Sequence, residues 1–272
     1  MGVLNLTPDS FSDGGRFLRP AAALAQARSM AGQGADLLDL GGQSTRPGAA
    51  EIGAGEECAR VLPVLELLLA ELPAQHRPLI SIDTFRAPVA EAALAAGADW
   101  INDVSGGRRD PELLKVVAAA DCPYVLMHSR GDSGSMDGLA SYADVVAEVR
   151  QELLRATDLA LAAGIRPGQL IWDPGLGFAK TTEHNLALLR GLAELRSEGF
   201  PLLVGPSRKR FIGAVLEEPR PRARLWGTAA VCSQAITAGA DVLRVHDVGP
   251  IVQTARMVDA IVRPRSEAGS QS

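Results

Sequence analysis

Eight short apolar runs in this sequence end in residues able to bind or move charge. Asn5, Gly41-Gly42, Asp83-Thr84, Asn102-Asp103, His128, Asp173, Lys209 and the segment Arg244-Val245-His246-Asp247 stand at or just beyond the ends of those runs. If the runs are parallel strands of one barrel, these side chains converge, because such barrels gather functional groups at the C-terminal mouth. Any single Asp or Asn at a strand end has an ordinary explanation as a helix cap or turn former. That explanation does not extend to all eight ends.

Arg244 and His246 alternate with Leu243 and Val245, so the period of two along a strand sends both polar side chains to one side. A guanidinium fork and an imidazole so placed suit an anion. Asn5, on the first strand, lies beside the eighth once a barrel closes. A neutral carboxamide oxygen is a suitable Mg²⁺ ligand where substrate phosphates supply the other ligands, and the combination predicts a diphosphate leaving group. Asp83, Asn102 and Asp173 would come from strands three, four and six, and a carboxylate can accept two parallel N–H bonds from the edge of a flat heterocycle. The plain alternative is a set of satisfied interior polar groups. Ser207-Arg208-Lys209-Arg210 follows a buried apolar run directly, and reads either as a phosphate cradle or as a solvated cationic turn before a helix.

The runs occupy 3–6, 36–40, 79–83, 100–104, 124–128, 170–173, 202–205 and 242–246, and Ala- and Leu-rich segments of helical period lie at 20–33, 57–71, 87–96, 142–163 and 185–198. Strand and helix alternate eight times. The pattern predicts an α/β fold, a single (β/α)8 TIM barrel over residues 1–263, rather than a doubly wound sheet, whose dinucleotide fingerprint is absent. Gly-Ala-Asp recurs at 34–36, 97–99 and 239–241, where glycine is the expected helix terminator. The Gly-, Ser- and Asp-rich loops at 7–15 and 41–50 are longer than βα loops usually are and could close over one mouth. The polar stretch 264–272 is expected to be a disordered tail.

Composition narrows the partners. The 272 residues are 47% hydrophobic, enough for a large core, and the net charge of −5 with short, isolated cationic clusters argues against a nucleic-acid surface. No stretch reads as a membrane span or a secretory signal. Cys58, Cys122 and Cys232 are scattered without metal-ligand spacing, which predicts reduced thiols and a cytoplasmic enzyme.

Several of these segments carry a resemblance. The stretch 2–15 (GVLNLTPDSFSDGG), Ser44-Thr45-Arg46-Pro47-Gly48, Ile82-Asp83-Thr84, Ile101-Asn102-Asp103, the stretch 173–178 (DPGLGF), Ser207-Arg208-Lys209 and Arg244-Val245-His246-Asp247 resemble, in order, the signatures of dihydropteroate synthases. The resemblance implies condensation of 6-hydroxymethyl-7,8-dihydropterin diphosphate with 4-aminobenzoate, releasing diphosphate. It implies that Asp83, Asn102, Asp173 and Lys209 hold the pterin, that Asn5 binds Mg²⁺, and that Thr45, Arg244 and His246 bind the diphosphate. Arg46, Pro47 and Phe178 would surround the aminobenzoate, the pocket that sulfonamides take in this family, and Ser207 would donate to nearby ligand groups. It also implies a homodimer. No role follows for His128. The chain departs from the family at Gln43, where Glu is more usual, and its first strand begins almost at Met1, earlier than expected of relatives. Two other readings remain: the folate-binding domain of a corrinoid-linked methyltransferase, and a non-catalytic pterin-binding paralogue.

Overall fold

Runs that are apolar throughout become strands when helices cover one face and other strands' side chains cover the other. The computed structural model describes residues 1–7, 20–44, 48–72, 75 and 77–263. β1 (Gly2–Asn5), β2 (Leu37–Gly41), β3 (Leu79–Asp83), β4 (Trp100–Asp103), β5 (Tyr124–Met127) and β6 (Leu170–Asp173) pair in sequence order, all parallel. β7 (Leu203–Val204) and β8 (Val242–Leu243) form a second parallel pair. Parallel bridges between Trp172 and Leu202 and between Gly2 and Val245 join this pair to β6 and β1. The Val3 amide donates to the Val245 carbonyl and the Val245 amide to the Met1 carbonyl, each at 2.9 Å. The eight strands thereby close into the (β/α)8 barrel.

The helices are α1 (Pro20–Gly32), α2 (Ala54–Glu71), α3 (Ala87–Ala95), α4 (Glu112–Ala120), α5 (Val145–Ala162), α6 (Thr182–Arg190), α7 (Leu192–Arg196), α8 (Arg210–Leu216), α9 (Leu225–Thr237) and α10 (Val248–Val262). The repeated Gly-Ala-Asp turn has one geometry at all three sites. Gly34, Gly97 and Gly239 take φ of 93°, 107° and 97°, and the following alanine amide donates back to the carbonyl of Met30, Ala93 or Ala235 at 2.9–3.0 Å. The aspartate then reaches across: Asp99 Oδ2 accepts from the Ile80 amide at 2.7 Å and Asp241 Oδ2 from the Leu202 amide at 2.9 Å.

Two expected boundaries change. The helix read at 185–198 is two helices, because the Thr181 hydroxyl caps a start at Thr182 and the chain breaks at Gly191, which packs too closely on Val146 of α5 for a side chain. The helix read from 142 starts instead at Val145, where Asp144 Oδ1 accepts from the amides of Val146 and Ala147 at 3.0 and 3.1 Å. The expected tail, 264–272, lies outside the described residues.

Register decides what fills the barrel. Met1, Leu37, Val125, Ile171 and Leu203, with Trp100 and Val242 packed against them, form an apolar floor separate from the larger core between strands and helices. Two residues further along the even-numbered strands come Asp39, Asn102, Asp173 and Arg244. Inward layers of four from alternate strands are the barrel's filling, usually branched aliphatics; here the upper one is wholly polar.

Outside the barrel, Trp172 is fully buried, stacks on Phe200 with ring centroids 4.8 Å apart and donates from Nε1 to Thr157 Oγ1 on α5 at 2.9 Å. Thr157→Val keeps the volume and leaves that indole N–H buried without a partner, which costs about 1–3 kcal/mol. A lower urea midpoint with an unchanged slope is expected; a midpoint equal to the parent's would show that the bond contributes nothing.

Candidate active site

The polar layer is organised by one cation. Arg244 Nε donates to Asp39 Oδ2 at 2.6 Å and its Nη2 to Asp83 Oδ2 at 2.8 Å, while Asn102 Nδ2 donates to the same Asp39 oxygen at 3.1 Å. Asp39, Asp83, Asn102 and Asp173 are all buried. One guanidinium cannot neutralise every carboxylate around it. Burial pushes the Asp83 carboxyl up to about 7, with Arg244 pulling against the rise and the Asp39 charge adding to it. Burial likewise raises Asp173, whose Oδ1 accepts from the Gly175 amide at 2.7 Å.

Lys209 enters from the turn after β7, and the turn is held from three sides. Arg208, with φ of 61°, occupies a backbone region that costs a non-glycine residue about 1–3 kcal/mol and persists only where neighbours fix it. Its guanidinium forks onto Asp247 at 3.0 and 2.6 Å, its amide donates to Thr228 Oγ1 at 3.3 Å, and Arg224 Nη1 donates to the carbonyls of Arg208 and Lys209. Lys209 Nζ thus stands 4.1 Å from the centre of the Phe178 ring. Burial, then the Arg244 charge, push that ammonium down to about 8. Arg210 faces outward to Asp137 at 2.6 Å.

Ser207 sews this turn to the end of β8. Its Oγ accepts from the His246 amide at 3.1 Å and lies 3.0 Å from His246 Nδ1. Burial, then the charges of Arg208 and Arg244, push the imidazole down to about 3, so it is neutral. With the hydroxyl donating to Nδ1, the proton sits on Nε2, which is left as a donor.

Two cavities meet at this wall. The inner one, about 300 Å³, is lined by Asn102, Asp173, Lys209 and Arg244. The outer one, about 470 Å³, is lined by residues beyond the strand ends, including Gln43, Phe85, Arg109 and Arg130. Val104 and Phe178 belong to both. Gln43 ties down the loop at the outer rim: Nε2 donates to the carbonyls of Ser44 and Ala50 at 2.8 and 3.1 Å, and Oε1 accepts from the Ile52 amide at 2.9 Å. A carboxylate there could not donate either bond.

Asp83, Asn102, Asp173, Phe178, Ser207, Lys209, Arg244 and His246 therefore lie around one mouth. Arg244 is not the open anion fork its sequence setting suggests, because two carboxylates already occupy part of it. Asn5 is half-exposed at the end of β1, paired in register with Gly41, and its carboxamide makes no hydrogen bond among the described residues. Thr45, Arg46 and Pro47, and most of the 7–15 loop, lie outside the described residues. The sequence reading missed Asp39; the signal was a charge at an inward position in the middle of β2.

A family model described as a pterin binding enzyme matches residues 1–246. A dihydropteroate synthase of Synechocystis sp. is 51% identical over 263 residues, covering 97% of this chain and 90% of that protein. The Yersinia pestis dihydropteroate synthase, solved with a sulfonamide drug, superposes with a TM-score of 0.89 at 40% identity, covering 96% of this chain and 93% of that one. The Xanthomonas albilineans dihydropteroate synthase, solved with 4-aminobenzoic acid, gives 0.88 at 44% identity, with 96% and 92% covered. With a family model spanning most of its length and relatives of this similarity, the chain belongs to the pterin-binding enzyme family.

Proposed function

We infer that this chain catalyses the dihydropteroate synthase reaction, joining 6-hydroxymethyl-7,8-dihydropterin diphosphate to 4-aminobenzoate. The observation that carries the reading is the polar layer of Asp39, Asn102, Asp173 and Arg244 opening onto Lys209 and Phe178. In this reading Asp173, Asn102 and Asp83 accept from and donate to the edge of the pterin in the inner cavity. The amine enters the outer cavity beside Phe178, where a sulfonamide competes for the same space; the family resemblance adds Arg46 and Pro47 as its expected partners.

The amine lone pair attacks the exocyclic methylene carbon of the pterin as the carbon–oxygen bond to diphosphate breaks, that bond's electron pair leaves with diphosphate, and the amine proton passes to solvent. Ring electrons of the pterin stabilise positive charge left on the methylene. His246 Nε2–H, the guanidinium hydrogens of Arg244 not given to Asp39 and Asp83, and Thr45 stabilise the leaving group, and Lys209 holds the pterin where the two cavities join. No protein nucleophile is required. Burial keeps the Cys122 and Cys232 thiols protonated, pushed up to about 11 and about 12.

Asn5 fits a Mg²⁺ ligand of a particular kind. Among the described residues no cluster of three His, Cys, Asp or Glu side chains could hold a metal, so an ion at Asn5 would draw most of its oxygens from diphosphate. When bound, Mg²⁺ would withdraw charge from the leaving group.

Exposed Val215, Leu216 and Trp226 around α8 and α9, and Met257 and Ile261 on α10, support a homodimer, which a monomeric mass in sedimentation at micromolar concentration would overturn. The free thiols support a cytoplasmic enzyme, which fractionation of the source cells checks.

Diphosphate release is expected to require both the aminobenzoate and Mg²⁺. Turnover that ignores the amine, or methyl transfer to a corrinoid, would sink the assignment. Within the site, Asp173→Asn is expected to weaken free pterin and pterin diphosphate alike, by about tenfold or more. Arg244→Ala is expected to weaken the diphosphate-bearing ligand more than free pterin; equal losses for the two ligands in calorimetry would refute that division of the pocket.

A further inference from the structure

A chain of three groups, two of them buried and the third, Glu152, part-exposed, runs behind the wall between the cavities and lines neither. Lys180 is buried and its Nζ has three acceptors: the Phe178 carbonyl at 2.9 Å, the Gly175 carbonyl at 3.1 Å and His128 Nδ1 at 2.9 Å. Since Nδ1 accepts, the His128 proton is on Nε2, which donates to Glu152 Oε2 at 2.9 Å. Glu152 on α5 is held in turn by Arg130, which also pairs with Glu148. Glu152, His128 and Lys180 thus form a directional line of hydrogen bonds ending on two backbone carbonyls of the loop after β6.

That loop cannot relax toward its support. Gly175 has φ of 65°, and a Cβ there would lie 1.9 Å from the His128 carbonyl oxygen, so the 173–178 turn sits hard against the strand that carries His128. Its first half has an independent tie, the Gly175 amide to Asp173. Its second half, which carries Phe178, is held by the Gly177 amide to Asn185 Oδ1 at 2.6 Å, by the Phe178 amide to the Gly175 carbonyl at 3.1 Å and by Lys180, the one donor to the Phe178 carbonyl among the described residues.

We propose that Lys180, backed by His128 and Glu152, is a positioning residue that fixes the Phe178 wall and so shapes the half-site for the aromatic amine. The proposal rests on Phe178 bordering the amine, as read above. Because the Asp173 tie is separate, losing Lys180 should disturb the amine more than the pterin. Charge is part of the device: an ammonium satisfies three acceptors at once, while a neutral amine donates only two bonds. Burial pushes Lys180 down to about 7, with Asp173 and Glu152 opposing and Lys209 and Arg130 assisting; His128, pushed down to about 4 by burial and then the Lys180 charge, stays neutral beside it. The wall therefore loosens as pH rises through the neutral range.

The test is steady-state kinetics of diphosphate release on the full chain, with each substrate varied from pH 6 to 9. Lys180→Met is expected to raise KM for 4-aminobenzoate about tenfold while KM for pterin diphosphate moves by less than about twofold. In the parent, KM for the amine should rise with pH, and in Lys180→Met that rise should vanish. Glu152→Gln, at the outer end of the line, should raise the same constant by less, and no rise there overturns the proposal even if Lys180→Met is too unstable to assay. Equal changes in both KM values, or an alkaline rise that survives in Lys180→Met, overturns it as well. Phe178→Ala run in parallel separates the two levels: an unchanged KM for the amine removes the half-site reading, and the proposal falls with it.

Discussion

The guanidinium of Arg244, set between Asp39 and Asp83 in the barrel's interior, is the interaction on which the rest depends. Charges in such a place are tolerated only when paired, and removing one partner of a buried pair typically costs about 3–5 kcal/mol because the other is left uncompensated. The cluster explains why the upper interior can be polar at all. It also fixes the strands' inward groups relative to one another, since the partners of Arg244 come from β2 and β3 while Arg244 itself follows β8. The incomplete neutralisation has its own effect: the Asp83 carboxyl, pushed up to about 7, can accept from or donate to a heterocycle, as the ligand requires.

The turn after β7 depends on the segment that follows β8. A strained Arg208 would relax if its fork onto Asp247 were lost, and Lys209 would move with it. The three adjacent cations at 208–210 thus divide their labour by direction rather than by type. Arg208 braces the backbone, Lys209 faces the ligand wall and Arg210 faces Asp137 outside.

Much of this was legible in the sequence where periodicity and position agree. Asp83 and Asp173 end their strands and Asn102 stands one residue before the end of β4, so a reader looking at strand ends finds them. Asp39 does not, because it lies inside a run that reads as core. The pairing of Arg244 was not legible either: its partners are 205 and 161 residues away, and nothing local distinguishes a donor fork awaiting an anion from one already engaged. His128 shows the same limit. Its place at a strand end was plain, but its role runs through Lys180 and Glu152, on segments that sequence order keeps apart. The departure at Gln43 became intelligible only with its carbonyl partners in view, since they call for a donor.

The apolar floor under the polar layer has a kinetic consequence. Met1, Leu37, Val125, Ile171 and Leu203 plug the far end of the barrel, so among the described residues the inner cavity has no way out through the floor, and it shares Val104 and Phe178 with the outer one. A molecule seated in the outer cavity narrows the way to whatever lies beneath it. Two chambers stacked over one floor favour a queue, in which the lower is filled before the upper.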